Sequence, residues 1–155
     1  MTIRKAIKED CVQALELIKE LAKFEKAAEE VDVDLTQFME DGFGKNPSYF
    51  MFVAEVDKVI VGIALCYEKY STWKGRCTFL EDLIVTQSMR GKGIGKALFE
   101  QVIKHAAENN SGRLEWQVLD WNEPAIGFYQ SYGAEIDDSW LNGRFRREQL
   151  KSMKF

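Results

Sequence analysis

The sequence predicts an α/β fold in which helices flank a mixed central sheet. The chain has 155 residues, of which 46% are apolar, enough for one hydrophobic core. Short runs rich in β-branched and aromatic residues alternate with stretches whose apolar residues recur at helical spacing. The predicted order is β-α-α-β-β-β-α-β-α-β, with antiparallel strands first and a strand–helix–strand unit later. Because it contains no linker or repeat, we expect residues 1–155 to form a single domain.

The first half of the chain is expected to supply most of the sheet. Asp10 is a suitable N-cap for a helix in which Leu15, Ile18 and Leu21 share one apolar face. Asp57-Lys58 separates two strand-like runs and predicts a hairpin. The predicted elements are Thr2–Ala6, Cys11 to about Ala28, Leu35–Asp41, Tyr49–Val56, Val59–Tyr67 and Arg76–Val85.

The second half is expected to continue with a helix, a strand, a helix and a terminal strand. Asn122 can cap the later helix, which has Pro124 in its first turn and ends at Gly133. The predicted elements are Gly93 to about Glu108, Leu114–Leu119, the helix after Asn122, and a strand or hairpin that includes Trp140 and Phe145.

Composition excludes several classes of function. With a net charge of −4, the chain is a poor generic binder of nucleic acid. Its three cysteines and single histidine do not have metal-ligand spacing, so we expect no metal site. The N-terminal residues lack the apolar stretch of a signal peptide, and no apolar run reaches transmembrane length. We therefore expect a cytoplasmic protein that does not contact membranes.

A glycine-rich run follows the last long strand and precedes a helix. Arg90, Gly91, Lys92, Gly93, Ile94 and Gly95 combine little side-chain bulk with two cations. The N-terminus of a helix carries about half a positive charge, which favours a phosphate there. The glycine spacing fits neither the dinucleotide fingerprint nor the P-loop. What remains is R-x-x-G-x-G, for which a plain glycine-rich turn is the alternative.

Carboxylates interrupt two apolar segments of the sequence. Glu25 lies seven residues after Ile18 on the apolar face of the first helix, where it either has a function or marks the point at which that face reaches solvent. In the strand before the loop, period two places Glu81 on one face and Asp82, with Leu80, on the other. A buried, unpaired carboxylate costs several kcal/mol, so each of these needs a partner, water or a function.

Taken together, these segments resemble the acetyl-CoA site of the GNAT superfamily of N-acetyltransferases, and more narrowly the spermidine/spermine (diamine) and thialysine enzymes. The resemblance covers about residues 3–135 and rests on Leu17–Glu25, Glu40–Gly44, Leu80–Asp82, Arg90–Gly95 and Trp121–Pro124. It implies the GNAT acyl-CoA N-acyltransferase fold, with strands that splay apart in the central sheet. It also implies acetyl-CoA as cofactor and a small cationic amine as acceptor, acetylated by direct attack.

The resemblance further implies roles for individual residues. Glu81 would be the general base, acting directly or through water, with Asp82 as the less favoured alternative; Tyr129 would be the general acid. The expected cofactor-binding residues are Leu83, Ile84, Val85, Arg90, Gly91, Lys92, Gly93, Ile94, Gly95, Asn122, Pro124 and Ala125. The expected substrate-binding residues are Phe24, Glu25, Asp82, Glu115 and Gln117.

The match fades after Ala134, where the polyamine enzymes carry an acidic residue whose ungapped equivalent here is Leu141. In relatives the terminal segment crosses to a second subunit, which implies a homodimer. Two other functions stay open: acetylation of a protein lysine or N-terminus, and acyl-CoA binding without turnover.

Overall fold

A computed structural model describes residues 1–155. The chain forms two compact units, Met1–Gln117 and Val118–Phe155. The absence of a linker or repeat suggested that residues 1–155 form one domain, and that assignment stays a prediction. No helix has the length and apolar character needed to cross a membrane.

The first unit contains a five-stranded mixed sheet with strand order β1-β2-β3-β4-β5. The first four strands are antiparallel neighbours, and β5 runs parallel to β4. This confirms the predicted fold class of early antiparallel strands and a later strand–helix–strand unit. The strands are β1 (Thr2–Lys5), β2 (Phe50–Val56), β3 (Val59–Ser71), β4 (Gly75–Val85) and β5 (Leu114–Trp116).

Three helices of this unit cover the two faces of the sheet. They are α1 (Cys11–Phe24), α2 (Leu35–Phe43) and α3 (Ile94–Glu108). Leu15 of α1 and Phe38 of α2 belong to the core cluster that includes Leu65 and Ile84 of the sheet, so we name this side the α1 face. On the α3 face, Phe99 packs edge-on against Trp116.

The hairpin between β2 and β3 has the predicted position. Asp57 and Lys58 both have positive φ, at 49° and 65°, as the tight turns that match the twist of two antiparallel strands require. The strand after this turn extends to Ser71, four residues beyond the prediction, because it pairs with β4 as far as Gly75.

The sequence suggested that the Asp10 side chain caps α1, but it makes no capping hydrogen bond to that helix. Its carboxylate accepts two hydrogen bonds from Arg4, at 2.7 and 2.9 Å, and one from the Ile7 N–H at 2.8 Å. Burial opposes the charge of Asp10, but these hydrogen bonds outweigh it and hold the pKa of Asp10 below its usual value. Arg4 also binds Glu55 of β2, so this network joins β1 and β2 to the start of α1.

The second unit contains the helices α4 (Glu123–Gln130) and α5 (Arg147–Ser152). The prediction of a terminal strand around Trp140 and Phe145 is wrong, since neither residue pairs in the sheet. Aromatic residues favour strands only where a partner strand is available, and here these two side chains are exposed.

Candidate functional site

The sheet opens at the C-terminal half of β4. Thr78, Phe79 and Leu80 are the residues of β4 that pair with β5, which ends at Trp116. From Glu81 to Val85, β4 keeps β3 on one side and has no strand on the other. The expected splay of the strands is therefore confirmed, and it leaves backbone N–H and C=O groups of this segment free of sheet partners.

A β-bulge lies at the point where the sheet opens. Cys66 is opposite Leu80 and Leu65 is opposite Asp82, so Glu81 is the extra residue of β4. Residues that lie directly opposite share a face, whereas Leu65 and Cys66, being consecutive, point to different faces. Asp82 therefore lies on the α1 face and Leu80 on the α3 face. The expectation that these two residues share a face is wrong, because strict period two does not hold across a bulge.

The bulge also brings Glu81 towards the α1 face. Tyr67 is opposite Phe79, and their rings stack with centroids 5.0 Å apart. Burial raises the pKa of Tyr67, and the charge of Glu81 together with a hydrogen bond to it raises that pKa further. Glu81 and Asp82 thus act on the same side of the sheet, although the sequence suggested opposite sides.

Three carboxylates interact electrostatically at this place, and we name Glu25, Glu81 and Asp82 the carboxylate cluster. Burial raises the pKa of Asp82 to about 7, and the charges of Glu81 and Glu25 contribute to the same shift. Glu25 is the residue at which α1 ends; it is half-buried, and burial raises its pKa. Like charges held together in partly dehydrated surroundings favour a cation as their partner.

Phe24 and the two β5-side residues were also expected to bind substrate. Phe24 lies beside Glu25 at the end of α1 and is exposed. Glu115 is opposite Phe79, but its carboxylate lies 3.5 Å from the ammonium of Lys69 and 3.7 Å from the guanidinium of Arg113. The negative charge of Glu115 is therefore already compensated by Lys69 and Arg113. Gln117 follows β5 and is exposed.

The glycine-rich run has the geometry of a cradle at a helix start, and we name residues 90–95 the Gly-rich loop. Gly91 and Gly93 have φ of 74° and 78°, a region that residues with a Cβ rarely adopt. No atom lies within 4 Å of the position a Cβ would take at either glycine, so space is open beside the backbone. α3 begins at Ile94, and the first N–H groups of a helix have no intrahelical acceptor.

Arg90, at the start of the Gly-rich loop, contacts both β4 and α1. Its Nε donates a hydrogen bond to the Val85 carbonyl at 2.9 Å, and its Cζ lies 5.2 Å from the centroid of the Phe24 ring. The guanidinium is also 4.0 Å from Glu20. Nothing in the sequence singles out Glu20, because a glutamate on an amphipathic helix is ordinary in pattern and its hydrogen-bond partners are 66 and 67 residues away.

The second unit holds the remaining expected residues. The Asn122 side chain accepts a hydrogen bond from the Ala125 N–H at 3.4 Å, which confirms it as the N-cap of α4, and Pro124 lies in the first turn. Tyr129 is buried, its ring is 5.3 Å from that of Phe128, and burial raises its pKa to about 12. A phenol in such surroundings stays protonated at neutral pH.

Comparisons with known proteins agree with this architecture. Residues 12–134 match the model of the Acetyltransferase (GNAT) family. The chain is 35% identical to a mouse thialysine N-epsilon-acetyltransferase, over 97% of this chain and 95% of that protein. It is also 35% identical to human spermidine/spermine N(1)-acetyltransferase-like protein 1, over 97% of this chain and 23% of that longer protein.

Solved structures share the fold at low sequence identity. An aminoglycoside N-acetyltransferase in complex with CoA superposes with a TM-score of 0.75, over 94% of both chains, at 20% identity. At that identity the likeness speaks for the fold alone.

Proposed function

This chain belongs to the GNAT family of acetyltransferases, and from that premise we propose that it acetylates a primary amine of a small cationic acceptor. The acceptor would be a diamine, a polyamine or a thialysine-like amino acid. The curated relatives with 35% identity, named for thialysine and for spermidine/spermine, support this class of substrate.

The carboxylate cluster is the observation that carries the proposal. An alkylamine has a pKa of about 10 and arrives as an ammonium ion. Asp82, with a pKa raised to about 7 by burial and by two neighbouring carboxylates, gains most from a cationic ligand, because that charge compensates the repulsion. Glu25 adds a second carboxylate from α1. Several acidic groups acting on one place suit a compact polycation better than an extended peptide.

We assign acetyl-CoA as the donor, and the chain's residues fit it. Acetyl-CoA would supply the acetyl group, which it carries as a thioester, and free CoA thiol would be released. The open backbone at Gly91 and Gly93 and the start of α3 would hold its pyrophosphate, helped by Arg90 and Lys92. Leu83, Ile84 and Val85, which lack a strand on one side, would bind its pantetheine arm through backbone groups. The family resemblance also assigns cofactor-binding roles to Asn122, Pro124 and Ala125.

The acid–base roles follow from what the reaction must do with protons. Glu81, exposed at the bulge, would remove the ammonium proton, directly or through water, while Asp82 holds the cation. Asp82 is the competing candidate for the base, because a pKa near 7 suits proton removal at neutral pH. Tyr129, kept protonated by burial, would donate a proton to the departing CoA thiolate.

A homodimer is part of the proposal. Three large apolar side chains in the tail are exposed to solvent: Trp140 at 76%, Leu141 at 96% and Phe145 at 63%. Large apolar side chains left in water favour coverage by another chain. A second copy is the partner we propose. The cytoplasmic location stays a prediction.

A panel of amines tests the proposed activity. Release of free thiol from acetyl-CoA is measured with thialysine, lysine, 1,3-diaminopropane, spermidine, spermine and a peptide containing lysine. We expect turnover with the small cationic amines and little with the peptide. Turnover with the peptide alone would make the chain a protein acetyltransferase, and tight CoA binding without any turnover would make it a non-catalytic module.

A further inference from the structure

Glu20 makes a set of contacts that none of the assigned roles uses. It lies on α1, one turn before Phe24, and its carboxylate reaches the segment that follows β4. One oxygen accepts a hydrogen bond from the Thr86 hydroxyl at 2.9 Å, and the other accepts one from the Gln87 N–H at 2.8 Å. Hydrogen bonds to a charged acceptor are stronger than those between neutral groups, so the Glu20 carboxylate holds Thr86 and Gln87 strongly against α1.

These hydrogen bonds hold the segment that leads to the Gly-rich loop. The Thr86 N–H binds the Val61 carbonyl at 2.9 Å, and a short 3₁₀ turn, Gln87–Met89, follows. The Arg90 N–H closes this turn on the Gln87 carbonyl at 3.3 Å. Glu20 therefore fixes the first residues of the turn that ends at Arg90, where the Gly-rich loop begins.

A second set of contacts joins the loop back to α1. The Arg90 guanidinium lies over the Phe24 ring, with 5.2 Å from Cζ to the ring centroid, and 4.0 Å from Glu20. Phe24 adjoins Glu25 of the carboxylate cluster. One helix thus carries the acceptor-side residues at its end and an anchor for the Gly-rich loop one turn earlier.

We propose that Glu20 is a positioning residue that links the Gly-rich loop to the acceptor end of α1, so that CoA binding and the ordering of Phe24 and Glu25 are coupled. This inference rests on the proposed function, because it takes the loop as the CoA site. Coupling of this kind is reciprocal: if CoA orders the end of α1, an ordered end of α1 strengthens CoA binding by the same factor.

The first test measures CoA binding alone, by calorimetry, together with the melting temperature of the protein without CoA. We expect Glu20→Ala to weaken CoA binding about tenfold, and Glu20→Gln to weaken it less, because an amide oxygen still accepts the Gln87 N–H. The control is Glu16→Gln, which removes an exposed carboxylate of the same helix whose salt bridge is to Lys19. This variant should bind CoA as the unmodified protein does.

A second pair of variants separates positioning from a general loss of stability. Thr86→Val removes the hydroxyl that Glu20 binds, and its effect on CoA binding should be less than additive with that of Glu20→Ala, because both remove the same link. A lower melting temperature with unchanged CoA affinity in all these variants would overturn the inference and reduce Glu20 to a structural contact. Additive effects of the two changes would overturn it as well.

Amide hydrogen exchange, measured without any amine substrate, tests whether CoA binding orders the end of α1. In the unmodified protein, saturating CoA should slow exchange of the Glu25 and Ala27 amides, which bind the carbonyls of Leu21 and Ala22 at the end of α1. In Glu20→Ala, saturating CoA should leave these amides unchanged. Equal protection in both proteins would overturn the coupling. If the unmodified protein does not bind CoA at all, the proposed function fails together with the inference. If it binds CoA but the coupling is absent, only the inference fails.

Discussion

At the scale of single residues, the extra residue at Glu81 changes the electrostatics of the site. A regular strand would point Glu81 and Asp82 to opposite faces and separate their charges. The bulge turns both towards the α1 face, and the end of α1 adds Glu25. Burial, together with the charges of Glu81 and Glu25, raises the pKa of Asp82, and a bound cation would offset both effects.

Tyr129→Phe tests the proposed acid. We expect kcat to fall by about 10²-fold, because the departing thiolate loses its proton donor. CoA affinity should stay nearly unchanged, since a phenyl ring keeps the packing against Phe128. Steady-state thiol release gives kcat, and calorimetry gives the CoA affinity. A kcat equal to that of the unmodified enzyme would remove Tyr129 from the mechanism.

Paired pH–rate profiles of Glu81→Gln and Asp82→Asn separate the base from the cation-binding residue. If Glu81 is the base, Glu81→Gln shifts the optimum of kcat/KM upward, because more of the amine must arrive without its proton. If Asp82 only holds the cation, Asp82→Asn should mainly raise the KM for the amine and leave the pH profile of kcat unchanged. The opposite pattern, with the ionisation lost in Asp82→Asn alone, would assign the base to Asp82.

The raised pKa of Asp82 also affects how the free energy of unfolding depends on pH, which gives a control for the Glu81→Gln and Asp82→Asn variants. Its pKa in the folded protein, about 7, lies above the unfolded value of about 3.9. At this group the folded state therefore binds more protons between these values, so the contribution of Asp82 to stability falls as pH rises from about 4 to about 7. In chemical unfolding experiments across that pH range, Asp82→Asn should lose less stability with rising pH than the unmodified protein does.

At the scale of elements, the Gly-rich loop combines backbone conformation with the start of α3. Two of its glycines have left-handed backbone angles, and the helix after them presents unpaired N–H groups. The strand before it provides a free edge from Glu81 to Val85, because β5 ends early. A single strand–loop–helix unit thus offers backbone donors and acceptors along its length, which is what a long phosphorylated cofactor requires.

Gly93→Ala and Gly75→Ala form a matched pair that tests the loop. Both glycines have φ near 77° and no atom within 4 Å of the added Cβ, so the strain should be similar, about 1–2 kcal/mol of folding free energy. Gly75 lies at the start of β4, away from the loop. In calorimetry, we expect Gly93→Ala to weaken CoA binding about tenfold and Gly75→Ala to leave it unchanged. Equal CoA affinities in the two variants would contradict the assignment of the cradle.

At the scale of the whole molecule, the exposed apolar residues of the tail call for a partner. Trp140→Ser combined with Leu141→Ser should convert a dimer into a monomer in sedimentation experiments, because large apolar contact areas are lost. Val59→Ser, a change at an isolated exposed apolar residue of β3, is the control and should leave the assembly unchanged.

The outcome for the dimer is clear in either direction. A monomeric unmodified protein would refute the homodimer and leave the acetyltransferase activity untouched. A dimer that persists in the double variant would place the interface elsewhere on the chain.

Much of the fold could be predicted because its signals are local. The α3 helix, the hairpin at Asp57-Lys58 and the Asn122 cap each depend on residues close together in sequence, and each has the predicted position. Predictions were wrong where partners outside the element decide. Asp10 is the N-cap position of α1, but its carboxylate accepts hydrogen bonds from Arg4 of β1 and none from the helix, and the aromatic residues of the tail have no strand to pair with.

The sequence by itself determined the glycine loop, the helix that follows it, the places of the five strands along the chain and, through its motifs, the family. Only the tertiary structure decided how the carboxylates meet and how Glu20 holds the loop. The reason is physical: a bulge forms only when β4 is aligned with β3, and the Glu20 carboxylate meets Thr86, 66 positions further along the chain, only once the segments between them have folded. The residue pattern within one segment determines whether that segment forms a helix, a strand or a turn. A functional site depends on the distances between segments, which only the folded chain sets.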